Sequence, residues 1–262
     1  MPIFERDEDA DSWRPTPLAR GPFAGLQGGA VAALLTAEAE RCAALAGYSA
    51  GVGVSAWFLR PAPDQPLRTR TSMLHARGRM AVVDAMLSAP DDDAPLAVAR
   101  VTFLAERDLS ALAPASPNGA PSLDPATLPE RRRAAPHGGR WMMDAMEARL
   151  GPDGAGWFKL RTPPVAGAGP LASVLPAADW AHGLARPAER VFADPNPTLN
   201  VQLLRPPASG WVGVRAATHW RPEVGAGFGA ASLVDEFGVI GAVSMAVALT
   251  PFAAPAERRE PA

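Results

Sequence analysis

The sequence predicts an α+β fold built from two consecutive units of similar size, each a helix laid across an antiparallel sheet. Two observations carry this prediction. The two halves of the chain repeat one succession of apolar runs and turns. A separating segment with six prolines and no aromatic residue is typical of a surface linker. We therefore expect an N-terminal unit over residues 1–105, a linker over residues 106–139 and a C-terminal unit over residues 140–262.

The repeat is clearest in the strand-like part of each half. The first half contains VSAWFLRPAPDQPLRTRTSMLHARGRMAVVDAMLSAPDDDAPLAVARVTFLA, and the second contains LNVQLLRPPASGWVGVRAATHWRPEVGAGFGAASLVDEFGVIGAVSMAVALT. Each begins with an apolar run ending in Leu-Arg-Pro, at Arg60 and Arg205, followed by three more runs between turn residues. The runs are rich in β-branched, aromatic and small residues, which strands prefer. Four consecutive antiparallel strands are predicted in each half.

A helical segment precedes each set of strands. In the first half it covers residues 29–46, and in the second it starts near Pro170 in PLASVLPAADWAHGL. An earlier strand precedes each helix, and in the second half it is a pair, RWMMDAMEARL and GWFKLRTP, joined by a Gly-Pro-Asp-Gly turn. A helix across such a sheet buries its apolar face, and two units can pair their sheets edge to edge, which removes an exposed edge strand.

The composition argues against several classes of function. A net charge of −2, with no basic excess and no polybasic segment, gives no support to nucleic-acid or lipid binding. Cys42 is the only cysteine and the four histidines are scattered, so neither an intramolecular disulfide nor a zinc site is expected. The acidic start of the chain is unlike a signal peptide, and no apolar run reaches membrane-spanning length. We expect a cytoplasmic protein.

The sequence resembles the thioesterase-like superfamily around bacterial acyl-CoA thioesterase II. The resemblance rests on FAGLQGGAVAALL, FLRPAP, LNVQLLRPP and SLVDEFGVIGAVSMA, in that order, and covers nearly the whole chain apart from the linker and the first dozen residues. It implies a double hotdog fold, in which two tandem hotdog units pair their sheets. It also implies hydrolysis of an acyl-CoA to a free acid and CoA, with no metal or organic cofactor.

The sequence departs from that family at positions the family uses for catalysis. Proteins close to acyl-CoA thioesterase II have an Asp at the start of the second-half strand that ends in Arg-Pro, where this chain has Thr198. They have a Gln in the last strand, where this chain has Met245. Their hydroxyl partner aligns near Thr218 or His219. The resemblance therefore implies the fold and the substrate class, with Thr198 and Met245 as substrate-contacting positions, but it does not carry over that catalytic machinery.

The Gly28-Gly29 pair at the start of the first helix is a candidate oxyanion site. Thioester hydrolysis needs a place for negative charge on the carbonyl oxygen, and unpaired N–H groups at a helix N-terminus supply one. Glycine lets a substrate approach the backbone without a Cβ atom in the way. The amides of Gly29 and Ala30 would then hold the oxyanion. The alternative is that the glycines only allow the chain to pass close to the sheet.

Asp179 is the strongest candidate for the base that activates water. If its segment is helical, Leu171, Leu175 and Asp179 follow one another on one apolar face, and a carboxylate there is either paired or functional. Burial would raise its pKa and its basicity. The resemblance adds that other hotdog thioesterases use a carboxylate on this helix. Pro176 leaves an alternative, because it either kinks the helix or marks its first turn, where Asp179 would only stabilise the helix N-terminus.

Three further polar residues are weaker catalytic candidates. Glu38 lies in the apolar stripe of the first helix, although an ion pair with Arg41 would also explain it. Asn200 could orient the water or the thioester, or could be an ordinary strand residue that faces solvent. His219 could act as a base near neutral pH, although an isolated histidine at a strand end is more often structural. The helix carboxylate of other hotdog families falls at Thr36 in the first half, so one working site per chain is expected.

Two classes of function fit these residues. The first is an acyl-CoA thioesterase whose pocket lies between the two halves. The second is a degenerate double hotdog that binds an acyl group or CoA without turnover, which Thr198 and Met245 favour. Dehydratase chemistry would want an Asp-x-x-x-x-His pair on one loop, and the sequence contains none. Because hotdog proteins commonly assemble by pairing sheets, we expect a homodimer.

Overall fold

A single antiparallel sheet of twelve strands forms the framework of the protein. The computed structural model describes residues 1–7, 11–112, 123–136, 138–184 and 192–251. The strands are β1 (Phe4–Arg6), β2 (Ser12–Pro15), β3 (Ala50–Phe58), β4 (Leu67–Arg77), β5 (Met80–Ala89), β6 (Asp92–Leu104), β7 (Met146–Leu150), β8 (Gly156–Leu160), β9 (Phe192–Ala193), β10 (Thr198–Leu203), β11 (Trp211–Arg221), β12 (Ala226–Asp235), β13 (Gly238–Ala248) and β14 (Thr250–Pro251). The helices are α1 (Gly28–Leu45), α2 (Pro170–Ala178) and α3 (Ala181–Leu184).

The order of strands shows the predicted repeat. Across the sheet the order is β1-β2-β4-β5-β6-β3-β10-β13-β12-β11-β8-β7, and β9 pairs with β14 separately. Reading outward from the central pair β3–β10, each strand of one half has a counterpart in the other. The prediction of four consecutive antiparallel strands in each half is confirmed, as is the earlier pair β7–β8. The boundaries predicted at residues 105 and 139 remain predictions.

The central pair joins the two halves edge to edge, as the sequence predicts. β3 and β10 are antiparallel, with Val201 opposite Val54 and Asn200 opposite Ser55. Along β10 the buried residues alternate with more exposed ones, so Leu199 and Val201 face the helices. This pairing uses the hydrogen-bonding groups of two strands that would otherwise be open edges.

The two Leu-Arg-Pro segments make the same backbone contacts. The N–H groups of Leu59 and Arg60 both donate to the carbonyl oxygen of Leu96, at 2.9 and 3.1 Å. In the second half, the N–H groups of Leu204 and Arg205 both donate to the carbonyl oxygen of Ile240, at 2.8 and 3.4 Å. The repeated Leu-Arg-Pro sequence therefore corresponds to the same backbone arrangement after β3 and after β10.

Helix α1 is buried on nearly every side from Gly29 to Ala39, because the sheet curves around it. It is rich in alanine, which has the highest helix propensity and lets neighbouring elements approach closely. The helix begins after Gln27, whose side-chain oxygen accepts a hydrogen bond from the N–H of Ala30 at 2.6 Å. It ends before Gly47, which has φ = +85°, a conformation that glycine adopts easily.

Helix α2 packs along α1 and receives a cap from it. The N-cap residue of α2 is Gly169, which offers no side chain to the helix. The Glu40 carboxylate of α1 takes that role and accepts hydrogen bonds from the N–H groups of Gly169 and Ala172, at 2.8 and 3.3 Å. Burial raises the pKa of Glu40, and these N–H donors oppose the rise.

The segment from Pro170 onward is helical, as predicted, but it is interrupted. Helix α2 contains Pro176, and Asp179 is its C-terminal cap before the chain turns into α3. Proline inside a helix removes one hydrogen bond, which favours an early end. Asp179 therefore sits at the C-terminal end of α2 and not at the N-terminus of a helix begun by Pro176. Its position on the buried face with Leu171 and Leu175 agrees with the predicted stripe.

The packing of β10 against the helices predicts that substitution of two nearby leucines will have very different effects on stability. Leu199 is 0% exposed and Leu204 is 73% exposed. We expect Leu199→Ala to lower the free energy of unfolding by about 2–5 kcal/mol, because it leaves a cavity between sheet and helices. Leu204→Ala makes the same chemical change at the surface and should stay within about 0.5 kcal/mol of the parent. Urea denaturation followed by tryptophan fluorescence measures both, and equal losses would contradict this account of the core.

Candidate active site

A cavity of about 390 Å³ lies between the two halves of the chain. One wall comes from the loop over residues 21–27 and the first turn of α1, and another from the Leu-Arg-Pro segment after β3. Asp179, His182 and the loop over residues 195–197 close it from the second half. Its apolar side chains include Phe23, Val31 and Phe58.

Asp179 is a buried carboxylate in the wall of this cavity. It is 4% exposed, and its position is set by the end of α2, where its N–H donates to the carbonyl oxygen of Leu175 at 3.1 Å. This places the side chain against the N-terminus of α1, which carries a partial positive charge. The carboxylate thus lies where the two helices meet.

Three donors hold the carboxylate, two from the start of α1 and one from the loop over residues 195–197. The Gln27 side chain donates from Nε2 to Oδ2 of Asp179 at 2.6 Å, and the Asn196 side chain donates from Nδ2 to Oδ1 at 2.8 Å. The backbone N–H of Gly29 is the third donor. All three contacts favour the ionised form, because a carboxylate accepts and does not donate.

Burial nevertheless raises the pKa of Asp179 to about 6. Removing a charged group from water disfavours the charged form, and here that effect exceeds the opposing hydrogen bonds from Gly29 and Asn196. Asp179 is therefore ionised at neutral pH and a much stronger base than an exposed aspartate.

The two glycines at the start of α1 have different surroundings. A Cβ atom at Gly29 would lie 2.6 Å from the Cβ atom of Asp179 and 2.6 Å from the carbonyl oxygen of Leu175. Gly29 is thus needed for the close approach of α2. A Cβ atom at Gly28 would meet only the Phe58 ring, at 3.0 Å, and Oδ1 of Asp179, at 3.4 Å, on the wall of the cavity.

The first amides of α1 are mostly committed within the protein. The Ala30 N–H donates to Gln27, and the Gly29 N–H donates to Asp179. These are the two donors that the sequence suggested for an oxyanion. Among the residues that the structure describes, none accepts a hydrogen bond from the N–H of Gly28, which lines the cavity. The geometry thus shifts the candidate oxyanion donor to Gly28.

Glu38 lies away from the cavity and is engaged in ion pairs. Its carboxylate contacts Arg6 at 2.6 Å and Arg41 at 3.0 Å. The pair with Arg41 is the structural alternative that the sequence offered for this residue. The contact with Arg6 links α1 to β1.

Thr198 and Asn200 lie on the sheet face opposite to the helices. The Thr198 hydroxyl accepts a hydrogen bond from the Ala246 N–H at 2.9 Å, and its carbonyl oxygen accepts one from Asn196 at 3.3 Å. Asn200 stands between Ser55 and Ser244 on the neighbouring strands. The structure therefore brings neither side chain to Asp179, although Thr198 supports the loop that carries Asn196.

Met245 and His219 also lie outside the cavity wall. Met245 is buried beside Gly229, where its Cγ atom would be 3.2 Å from an added Cβ atom. His219 is exposed on β11, opposite Phe228 on β12. Of the candidate residues, the structure assembles Asp179, Gly28, Gly29 and Ala30 at one place.

Sequence reasoning missed three residues of the site. Gln27 directly precedes the glycine pair, but glutamine is not one of the residues that usually cap a helix N-terminus, so no common sequence signal marks it. Asn196 and His182 carry no local pattern; His182 is buried in the cavity wall, three residues after Asp179. Across the described ranges, no group of three or more His, Cys, Asp or Glu side chains is arranged to hold a metal ion. None of the helices in these ranges has the length and apolar character needed to cross a membrane.

Comparison with known proteins assigns the architecture. Residues 16–104 match the family model of the acyl-CoA thioesterase N-terminal domain. Acyl-CoA thioesterase II TesB2 from Mycobacterium marinum superposes with a TM-score of 0.69 at 14% identity, covering 98% of this chain and 97% of that chain. A protein of unknown function with a hotdog fold from Alicyclobacillus acidocaldarius gives 0.66 at 15% identity, covering 96% of each chain. The chain is a double hotdog protein.

A third structure supports the same assignment. A proposed thioesterase from Novosphingobium aromaticivorans superposes on this double hotdog protein with a TM-score of 0.71 at 19% identity, covering 95% of this chain and 99% of that chain. At these identities the superpositions show the fold, and the family model adds the resemblance of the N-terminal unit to acyl-CoA thioesterases. No curated protein matches the sequence.

The glycine pair of the double hotdog protein yields a prediction on stability. Alanine is favoured over glycine within a helix by roughly 1 kcal/mol. At Gly29 the contacts with Asp179 and the backbone of Leu175 should outweigh this gain, so we expect Gly29→Ala to destabilise the protein by about 1–3 kcal/mol. A Cβ atom at Gly28 meets no backbone atom and has close contact only with the Phe58 ring, at 3.0 Å, so Gly28→Ala should be neutral or slightly stabilising. Urea denaturation of both variants tests this, and equal stability would show that α2 does not depend on Gly29.

Proposed function

We propose that the cavity hydrolyses acyl-CoA thioesters to a free acid and CoA. The observation that carries the proposal is the buried carboxylate of Asp179, with its raised pKa, in the wall of an apolar cavity at the N-terminus of α1. The match of residues 16–104 to the acyl-CoA thioesterase domain supports the choice of substrate.

The hydrogen bonds around Asp179 leave room for one more donor. A carboxylate has about four lone-pair sites, and Gln27, Asn196 and Gly29 use three of them. The remaining site suits a water molecule in the cavity. A water held there would have a base of matched pKa within hydrogen-bonding reach.

The proposed reaction proceeds in two steps, addition of water and loss of the thiol. Asp179 accepts a proton from the water as its oxygen forms a bond to the thioester carbonyl carbon, and the carbonyl electrons move to the oxygen. The tetrahedral intermediate then collapses, the C–S bond breaks, and the proton on Asp179 passes to the departing CoA sulfur. The products are a free acid and a thiol, and the carboxylate of Asp179 is regenerated.

The negative charge on the carbonyl oxygen would face the start of α1. The N–H of Gly28 can donate to it, and the positive end of an 18-residue helix stabilises it further. The apolar walls around Phe23, Val31 and Phe58 would hold the acyl chain and exclude bulk water.

A binding protein without turnover is the second candidate. It is favoured by the commitment of the Gly29 and Ala30 amides to Asp179 and Gln27, and by Thr198 and Met245 at the positions that carry catalytic residues in acyl-CoA thioesterase II. In that case the cavity would bind an acyl-CoA and release it unchanged.

Release of free CoA thiol from short, medium, long and aromatic acyl-CoAs separates the two candidates. We expect hydrolysis by the parent protein and a loss of at least about a hundredfold in Asp179→Asn, which keeps the size of the side chain but removes the base. Asp84→Asn is the control, because Asp84 forms an exposed pair with Arg100 at 2.7 Å and should leave activity unchanged. Binding without hydrolysis would identify the protein as a binding module, and full activity in Asp179→Asn would exclude Asp179 as the base.

The pH dependence of the proposed reaction follows from Asp179. Only the ionised carboxylate can accept a proton, and its pKa is raised to about 6. We therefore expect kcat/KM to rise roughly tenfold per pH unit below about pH 6 and to level off above it. A profile that is flat between about pH 4.5 and 7 would show that a different group, or none, limits the reaction.

A further inference from the structure

Gln27 makes two short hydrogen bonds at the centre of the site. Its Oε1 accepts from the Ala30 N–H at 2.6 Å, and its Nε2 donates to Oδ2 of Asp179 at 2.6 Å. The residue is 4% exposed, so water does not compete freely for either contact. Gln27 and Asp179 are 152 positions apart and come from different halves of the chain.

The first of these contacts determines the direction of the second. A backbone N–H can only donate, so the atom of Gln27 that faces Ala30 must be the amide oxygen. The amide nitrogen is then turned toward Asp179, and Oδ2 receives a donor whatever the orientation of nearby waters. Oδ1 faces the cavity side, 3.4 Å from where a Cβ atom of Gly28 would lie.

We infer that Gln27 is a positioning residue that reserves Oδ2 of Asp179 for a hydrogen bond and leaves Oδ1 to take the proton from the attacking water. This inference rests on the proposed hydrolysis. Oδ1 is held by Asn196, whose side chain is half-buried on the loop at the cavity wall. Oδ1 is therefore the oxygen on the side of Gly28 and the cavity.

Within the described part of the chain, the other charged groups of the elements around Asp179 have identified places, and Asp194 is buried next to the loop over residues 195–197. His182 and Arg60 share the cavity wall, and Arg60 forms an exposed ion pair with Asp92 at 3.2 Å. On α1, Glu40 contacts the opposite end of α2, and Glu38 pairs with arginines. On the strands packed against α2, Lys159 lies near the Trp211 ring, and Arg215 pairs with Asp153. The donors on Asp179 are thus its nearest polar contacts.

The first test replaces Gln27 with methionine, which has a similar length and no donor. The hydrogen bond from Gln27 stabilises the ionised form of Asp179, so its loss should move the midpoint of kcat/KM against pH upward by about one unit. A purely structural cap would lower the melting temperature and leave that midpoint unchanged. An unchanged midpoint in Gln27→Met would therefore overturn the inference.

The second variant, Gln27→Glu, keeps the shape and restores the donor only when protonated. While the pair of carboxyl groups shares one proton, the introduced carboxyl group can cap Ala30 and still donate to Oδ2, so activity should resemble the parent. When the second proton leaves at higher pH, two like charges face each other at the 2.6 Å contact, and activity should fall. A bell-shaped profile absent from the parent supports the inference. A profile that only rises overturns it.

A readout without substrate separates this inference from the proposed function. Because the folded pKa of Asp179 is raised above its usual value of 3.8, the folded state holds more protons between about pH 4 and 6. The contribution of Asp179 to stability is therefore fully present below that range, falls as pH rises through it, and is lost above about pH 6. In Gln27→Met the fall should extend about one unit higher, and in Asp179→Asn it should be absent. If no acyl-CoA is hydrolysed but this shift occurs, the proposed function fails and the control of Asp179 by Gln27 stands; if the shift is absent, the inference fails.

Discussion

The close antiparallel contact of α1 and α2 is the constraint on which the rest of the structure depends. The N-terminus of each helix is contacted by a carboxylate near the C-terminus of the other helix. Glu40 of α1 accepts hydrogen bonds from the first N–H groups of α2, and Asp179 at the end of α2 accepts one from the first turn of α1. These contacts satisfy N–H groups that would otherwise be buried without partners. The curved sheet then covers both helices, and the pairing of β3 with β10 holds the two halves in the register that this contact needs.

The two ends of this helix pair have the same kind of carboxylate contact, but only one of them borders a cavity. At the Glu40 end, the helix begins with Pro170, which has no N–H, and a Cβ atom at Gly169 would lie 2.6 Å from the Glu40 carboxyl group. The carboxylate fills that end as a structural cap. At the Asp179 end, Gly28 borders a cavity, so the same contact is open to a ligand. One chain therefore presents one candidate site at this helix pair.

The fold could be predicted because the two halves of the sequence repeat the same succession of apolar runs and turns. The site could be predicted only in part. Asp179 was accessible to prediction because a carboxylate on an apolar stripe needs a reason to be there. Thr198 was placed at the site by resemblance and Asn200 by its polar side chain, yet both alternate with the buried Leu199 and Val201, which predicts that they face away from the helices. The contacts of Gln27 and Asn196 with Asp179 depend on the packing of distant segments, which no local pattern encodes.

The strength of Asp179 as a base results from effects that oppose one another. Burial in the helix contact and its position at the negative end of α2 favour the neutral form, while three donors and the positive end of α1 favour the charge. With fewer donors a larger fraction of the carboxyl groups would be protonated at neutral pH, and in water the carboxylate would be a weaker base. A pKa of about 6 lies between these limits, because the group is then largely ionised at pH 7 and still accepts a proton readily. The number of donors that the fold brings to Asp179 therefore affects its function, and Gln27, the N-cap of α1, contributes one of these donors.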